Sequence, residues 1–302
     1  MDYVLITAAW NEEGYIEDTI KSVLAQTVLP KKWVIVSDGS TDQTDEIVKK
    51  YAVSHDFIKF IRRKSKIGAG FASKVYALNL GYEALKDLTY DFIGHLDADI
   101  SFNREYYEKV LAKFRQNPAL GLAGGFIFEQ RNGKFQSRLF NSNQSVAGSI
   151  QLFRQSCYES IGGFIPLEAG GEDSFAEVMV RMQGWKVEAF PELSVFHHKP
   201  SKTARGLLKD SRRQGVVDYC LGSHPLFVIG KCVRRIRERP FFVVAIMRMA
   251  GFLGCYWRGK KREVSIPFIE YLRREQLERI KAVIFNLWSG KLNHSRKKRF
   301  FV

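Results

Sequence analysis

Short apolar runs alternate with stretches of helical periodicity through the first hundred residues, the pattern of a largely parallel sheet covered by helices. The runs at 4–7, 34–37, 58–62 and 92–96 predict strands. Between them Ile16, Ile20, Val23 and Leu24 recur at helical spacing. Residues 43–52 read as a second helix capped by Thr41 or Asp42, and 72–85 as a third. Further on, the spacing predicts an amphipathic helix over 104–116, ended near Pro118, and a strand over 122–128. A short helix at 155–161 runs into Gly162 and Gly163, and another opens at Glu172 or Asp173 and closes at Gly184. Strands at 185–190 and 194–197 close this part. The expected fold class is α/β, with a mostly parallel central sheet flanked by helices over residues 1–200. Basic helices follow over 201–302.

The segment 241–257 is almost wholly apolar, broken only by Arg248. Seventeen helical residues reach roughly 25 Å, short of the ~20 residues a bilayer crossing needs. Arg248 would sit near the midplane at a cost of about 2.5 to 3.5 kcal/mol. A spanning helix is therefore disfavoured. Arg237 and Arg239 before it, and Arg258, Lys260, Lys261 and Arg262 after it, suit a helix lying in an anionic lipid interface. A buried core helix with basic flanks satisfies the same pattern, and the sequence leaves both open.

The charge supports that concern with surfaces. The net charge of +15 is not spread evenly: residues 201–302 carry 24 basic and 7 acidic side chains, against 23 and 25 in the preceding two hundred. An excess of this kind suits phosphate-rich partners. Cys157, Cys220, Cys232 and Cys255 show neither paired nor metal-ligand spacing, so buried thiols in a reducing compartment are expected. Asp2 stands where a secretory leader would be basic, and a strand follows at once, so a cytoplasmic protein, peripheral at the membrane, is expected.

Open α/β sheets bind ligands beyond the carboxyl ends of their strands, and four loops there carry candidate chemistry. The first holds Asn11, Glu12 and Glu13; the second runs Asp38, Gly39, Ser40, Thr41, Asp42. Alone, each is also ordinary turn and cap composition. The third is Asp97, Ala98, Asp99 after an apolar strand. Alternate residues of an extended segment point one way, so two carboxylates can share one hard cation that in turn holds a diphosphate. The fourth is Gly170, Gly171, Glu172, Asp173. Acidic residues suit a helix N-terminus through its dipole, and they equally suit an acceptor hydroxyl, one carboxylate taking its proton and the other positioning it.

In this order, with Trp10, Asn11, Glu12 at the first loop, the 38–42 stretch, Ala77–Leu78–Asn79–Leu80–Gly81, the DxD at Asp97 and Asp99, and Gly162–Gly163–Phe164 before Glu172–Asp173, the chain resembles glycosyltransferase family 2 with its GT-A fold over about residues 3–200. The resemblance implies an inverting, metal-dependent transferase that takes a sugar from a nucleoside-diphosphate sugar; the basic, apolar tail adds the expectation of a role in cell-surface polysaccharide or glycolipid synthesis. It implies that Ala8, Trp10, Asn11, Glu12, Asp38 and Ser40 hold the base and ribose. Asp99 and Asp97 would bind the ribose and a Mn²⁺ or Mg²⁺ ion, and Asp173 would be the base, with Glu172 beside it. Asn79 and Gly68 are further donor-side candidates; Gly68 belongs to the glycine-rich loop 66–70, which lacks the P-loop ending and reads as a loop near the donor. His197 and His198 follow a strand ending near the site, and either could complete the metal shell. Lys202, Arg205, Arg212 and Arg213 are candidates to steady the leaving phosphates. Ala8 or Ala9 stands where the family often has proline, Trp10 where it often has tyrosine, and the QxxRW motif of processive members is missing. The expected partners are the nucleotide-sugar donor, a saccharide or lipid-linked acceptor and an anionic membrane surface.

Two rival readings remain. A sugar-phosphate nucleotidyltransferase would carry a glycine-rich, Arg-containing loop after the first strand, where this chain has Ala8, Ala9, Trp10, Asn11. A nucleic-acid-binding protein would fit the basic end, yet no helix-turn-helix, zinc or RNA-motif signature is present, and acidic loops repel phosphate. No nucleic acid is expected as a partner.

Overall fold

The computed structural model describes residues 1–64, 72–131, 133–138, 141–199, 204–236 and 242–288. The chain divides into two compact units: Met1–Pro166 with Glu172–Ser201, and Leu167–Gly171 with Lys202–Val302. The short stretch Leu167–Gly171 thus goes with the second unit although it precedes the acidic helix start.

The first unit is a sheet wrapped by helices. Its elements are β1 (Tyr3–Ala9), α1 (Ile16–Leu24), β2 (Lys32–Ser37), α2 (Thr44–Ser54), β3 (Ile58–Arg62), α3 (Ala72–Glu83), β4 (Phe92–Leu96), β5 (Ile100–Phe102), α4 (Tyr106–Gln116), β6 (Leu120–Arg131), β7 (Lys134–Ser137), β8 (Ile150–Arg154), α5 (Gln155–Ser160), α6 (Glu172–Met182) and β9 (Lys186–His197). The strand order is β3-β2-β1-β4-β8-β6-β9-β5, with β7 paired to β6. Pairing is parallel through β3, β2, β1 and β4 and again between β6 and β9; β8, β5 and β7 add antiparallel neighbours. The fold class is the expected α/β, a mixed sheet with a parallel half flanked by helices.

The four early strands and the helices between them lie where the periodicity puts them. Three strands, β5, β7 and β8, were not anticipated. Lys186–His197 form one long strand rather than two, and a register shift where Gly125 and Phe126 of β6 pair with Phe190 and Ser194 absorbs the irregularity around Pro191. At α2 the N-cap is Gln43, and Asp42 serves from one residue earlier, its Oδ1 accepting from the Thr44 amide at 3.0 Å. Gly81 explains the Ala-Leu-Asn-Leu-Gly pattern: a Cβ there would fall 2.5 Å from Ile6 Cγ2, so only glycine lets α3 lie this close to β1.

Both faces of the sheet are apolar. Leu5, Trp33, Ile35 and Phe92 pack under α1 and α4, and Val4, Ile6, Val34 and Ile93 under α3, which is why the parallel strands read as continuous hydrophobic runs.

The second unit is helical: α7 (Ala204–Cys220), α8 (Pro225–Arg234), α9 (Val243–Trp257) and α10 (Ile266–Trp288). Helix α9 is buried on one side and open on the other. Val244, Ala245, Gly251, Phe252 and Cys255 face inward, whereas Val243, Ile246, Leu253, Tyr256 and Trp257 are exposed. Arg248 is inside: its Nε lies 2.7 Å from Asp218 Oδ2, its Nη1 2.8 Å from Gln214 Oε1, and Lys231 Nζ sits 2.7 Å from the other Asp218 oxygen. Burial works against the Asp218 charge, but the two cations hold its carboxyl below the usual range. Among the described residues no helix is long and apolar enough to cross a membrane. All four cysteines are free and buried.

Candidate active site

The site is built at the carboxyl ends of β1, β2 and β4. The loops after β1 and β2 are stitched together. Asn11, in the left-handed region at φ 54°, accepts from the Thr41 amide through Oδ1 at 2.8 Å, and its own amide donates to Ser40 Oγ at 3.2 Å. The Glu12 amide donates to Thr44 Oγ1 at 2.8 Å, and across the same seam the Glu13 amide donates to Asp42 Oδ2 and Glu13 Oε2 accepts from the Gln43 amide, both at 3.0 Å. Asn11 and Ser40 are thus engaged in holding the two loops in register. Ala8 is half-buried in β1, Trp10 is exposed, and Asp38 is buried, its carboxylate gripped by Arg63 and Ser73. Asn79 braces the next layer, donating to the Phe164 carbonyl at 3.3 Å. Gly68 lies outside the described residues, as do Lys202 and the rest of the 66–70 loop; Arg213 pairs with Asp210 in its own helix at 2.7 Å.

Asp97 and Asp99 sit in the turn between β4 and β5, not on an extended segment as the alternation predicted. They are nonetheless close enough to repel. Burial, and then Asp97, push the Asp99 carboxyl above its ordinary range, opposed by His197, Lys199 and Lys74. The chain after Asp99 is pinned by Thr19, whose hydroxyl contacts both the carbonyl (2.8 Å) and the amide (3.1 Å) of Ile100. Antiparallel pairing of β5 with β9 sets Ile100 opposite His197. The two histidines thereby part company. His197 Nε2 lies 3.4 Å from Asp99 Oδ2, whereas His198 Nε2 meets Ser101 Oγ at 2.7 Å and its ring packs edge-on against Phe135.

Two lysines that the sequence reading passed over complete this rim. Lys199 Nζ is 2.7 Å from Glu12 Oε1. Lys74, in the first turn of α3, is 2.6 Å from Asp97 Oδ1. Burial alone would lower the Lys74 pKa, but Asp97, Glu172 and Asp173 together raise it above its ordinary value. The DxD turn and the acidic start of α6 therefore address one ammonium. A second link is steric: a Cβ on Gly148 would fall 2.6 Å from Asp173 Oδ2, and the neighbouring Ser149 carbonyl accepts from the Asp97 amide at 2.9 Å. Neither lysine lies in a motif; Lys199 is betrayed only by following His198, and Lys74 by nothing in the sequence alone.

Two buried carboxylate oxygens at this rim, Glu12 Oε2 and Asp99 Oδ1, have no hydrogen-bond partner. Burial raises the Glu12 pKa, Lys199 opposes it, and Asp99 and Asp97 raise it further. Excess carboxylate with orphaned oxygens is what a hard dication relieves, and oxygen ligands with one imidazole suit Mg²⁺ or Mn²⁺. Among the described residues no three such side chains form a closed cluster.

The family model of glycosyl transferase family 2 matches residues 4–170, more than half of the chain. The chain belongs to that family. Among curated relatives, the poly-beta-1,6-N-acetyl-D-glucosamine synthase of Staphylococcus epidermidis is 30% identical over 175 residues, covering 52% of this chain and 40% of the relative. The synthase of the same name from Staphylococcus aureus (strain MSSA476) is 28% identical over 270 residues, 83% of this chain and 62% of the relative. The chain thus spans less than two thirds of the length of either. In fold it is similar to the mannosyltransferase PcManGT from Pyrobaculum calidifontis, solved with GDP-Man and Mn²⁺ (TM-score 0.55, 17% identity, 95% of this chain and 87% of that one). It is equally similar to S. aureus TarS 1-349, solved with UDP-GlcNAc (TM-score 0.55, 15% identity, 96% and 88%).

Proposed function

We propose that the chain is an inverting glycosyltransferase that moves a sugar from a nucleoside-diphosphate sugar to an acceptor hydroxyl. The observation that carries this reading is Lys74, which faces Asp97, Glu172 and Asp173 at once and so ties the donor carboxylates to the acidic helix start. In this reading the nucleotide lies over the seam of the first two loops, near Ala8, Trp10, Asn11, Glu12, Asp38 and Ser40. Asp99, Asp97 and His197 hold the metal, and His198 stays with Ser101. A bound Mn²⁺ or Mg²⁺ neutralises charge on the departing diphosphate. Asp173 takes the proton of the acceptor hydroxyl as it attacks from the face opposite the leaving group, and one displacement inverts the anomeric centre. Glu172 orients that hydroxyl. Lys74, set among all three carboxylates, keeps them from repelling one another before substrates arrive.

The relatives' names support a saccharide acceptor and a role in cell-surface polysaccharide synthesis, with a UDP-sugar such as UDP-N-acetylglucosamine the first donor to try. The exposed side of α9, with Leu226, Ile229 and Val233 exposed on α8 and Arg258, Lys261 and Arg262 following α9, supports peripheral docking on an anionic membrane at its cytoplasmic face. The decisive test of the transfer reading is Asp173→Asn, assayed for turnover of UDP-N-acetylglucosamine and for UDP binding with Mn²⁺. Transfer should fall by about 10² to 10⁴ fold with binding intact; a wild-type rate removes Asp173 from the role of base.

A further inference from the structure

Glu177 lies one turn beyond Asp173 on α6 and is buried to 6% exposure. It does not point at solvent or at the rim described above. Its Oε1 accepts from the Val146 amide at 2.6 Å and from Ser145 Oγ at 3.0 Å, and its Oε2 lies 3.6 Å from Arg181 Nη1 on the next turn. Val146 in turn accepts from Gln151 Nε2 through its carbonyl at 3.2 Å. Two residues on, Gly148 lies against Asp173 with no room for a Cβ, and Ser149 receives the Asp97 amide. The 145–149 segment therefore touches both carboxylate groups of the site, and its other end is gripped by Glu177.

We propose that Glu177 is a positioning residue for sugar transfer: by anchoring the 145–149 segment it fixes the spacing between Asp173 and the Asp97 turn. The inference rests on Asp173 as the base. A buried carboxylate with backbone and hydroxyl donors is a costly choice where a serine or leucine would fill space, and its cost is visible. Burial, with Arg181 opposing and Asp173 adding to it, pushes the Glu177 carboxyl up to about 7. What the carboxylate supplies is a rigid acceptor for Val146 N–H on the same helix that presents the base. A displacement of about 1 Å between reacting groups costs on the order of 10² fold in rate, so a segment in contact with both ends of the reaction needs such an anchor.

The test compares Glu177→Ala, Glu177→Gln and Asp173→Asn in turnover of UDP-N-acetylglucosamine with Mn²⁺, alongside hydrogen exchange at the Val146 and Asp97 amides. Glu177→Ala should lower kcat by about 10 to 100 fold with the donor KM nearly unchanged, and both amides should lose protection. Glu177→Gln keeps an oxygen for Val146 N–H and should restore most of the rate and the protection. If Asp173→Asn is inactive while Glu177→Ala turns over at the wild-type kcat, the positioning role is wrong. If Asp173→Asn is active, the base assignment fails instead, and the exchange measurement still decides whether Glu177 holds the segment. Should Glu177→Ala fail to fold, Glu177→Gln decides: loss of amide protection in a folded protein overturns the proposal.

Discussion

Lys74 Nζ stands 2.6 Å from Asp97 Oδ1, and the same ammonium is drawn on by Glu172 and Asp173 from another helix. One cation therefore balances carboxylates that arrive from two distant parts of the chain. Opposite charge this close is worth most where the site is shielded from water. Without it, the DxD turn and the start of α6 would repel across the space a substrate must enter.

Lys74→Met should expose that repulsion. In EDTA the variant should melt below the wild type, because Asp97, Glu172 and Asp173 lose their shared counter-charge. Added Mn²⁺ should raise its melting temperature by more than it raises that of the wild type, since the ion no longer competes with the lysine for Asp97. Equal Mn²⁺ shifts in the two proteins would remove Lys74 from the metal's surroundings.

Asp99→Ala should abolish the metal dependence of nucleotide binding. Its buried Oδ1 has no protein partner and its Oδ2 reaches only His197, at 3.4 Å, while Thr19 pins the turn through both polar groups of the Ile100 backbone. Calorimetry of UDP binding with and without Mn²⁺ should therefore show a large metal effect in the wild type and none in a folded variant. A retained Mn²⁺ effect would assign the ion to other ligands.

Much of this was legible in the sequence, and the limits have physical reasons. Parallel strands buried on both faces give nearly unbroken apolar runs, so β1, β2 and β4 stood out, and with them the loops at Asn11, Asp38 and Asp97; β3 is buried only at Ile58 and its run is broken by Lys59. The strand β5 has three residues and shows no alternation. Asn11 and Ser40 stand out as nucleotide-side candidates by the loops they occupy; that they also tie those loops together, the Asn11 amide donating to Ser40 Oγ and Asn11 Oδ1 accepting from the Thr41 amide, is something composition does not reveal. Lys74, Lys199 and Glu177 owe their importance to contacts between residues far apart in sequence. The α9 pattern was ambiguous for a concrete reason: a helix with one side in the core and the other exposed but apolar has no polar face to report which is which.

Glu177 should leave a mark on stability as a function of pH. Its carboxyl is raised from 4.5 to about 7 in the folded protein, so folding favours the protonated form. The stabilisation is complete below pH 4.5 and is lost as pH rises through 7. Between pH 5 and pH 8 the wild type should lose on the order of 2 to 3 kcal/mol relative to Glu177→Gln. Urea denaturation at the two pH values measures it; parallel curves for the two proteins would show that Glu177 does not titrate in this window.

Helices α7 and α9 meet backbone to backbone, and glycine makes that possible. A Cβ at Gly215 would lie 1.9 Å from the Arg248 carbonyl oxygen, and one at Gly251 2.0 Å from that of Arg212. No flexible side chain can yield there. Gly251→Ala should therefore separate the helices and strain the Arg248–Asp218 pair, a loss of at least about 1 to 3 kcal/mol. Thermal or urea unfolding will show it as an early transition of the helical unit. A variant as stable as the wild type would mean that the two helices do not pack this closely.

The outward side of α9 should seek lipid. Val243, Ile246, Leu253 and Trp257 are spaced three, seven and four residues apart, so they line one stripe, and all are exposed. Arg258, Lys261 and Arg262 follow at the end of that stripe and are exposed as well, which places positive charge where anionic headgroups would be. Arg248 takes no part, because it is turned inward to Asp218. Vesicles of phosphatidylcholine with phosphatidylglycerol should bind the protein and pure phosphatidylcholine vesicles much less, with salt weakening the first. Ile246→Asp with Trp257→Ala should abolish sedimentation with the anionic vesicles while leaving the melting temperature near that of the wild type, since neither side chain is in the core. Undiminished binding by that variant would assign the attraction to basic residues elsewhere, and absence of binding by the wild type would exclude the surface as a membrane contact.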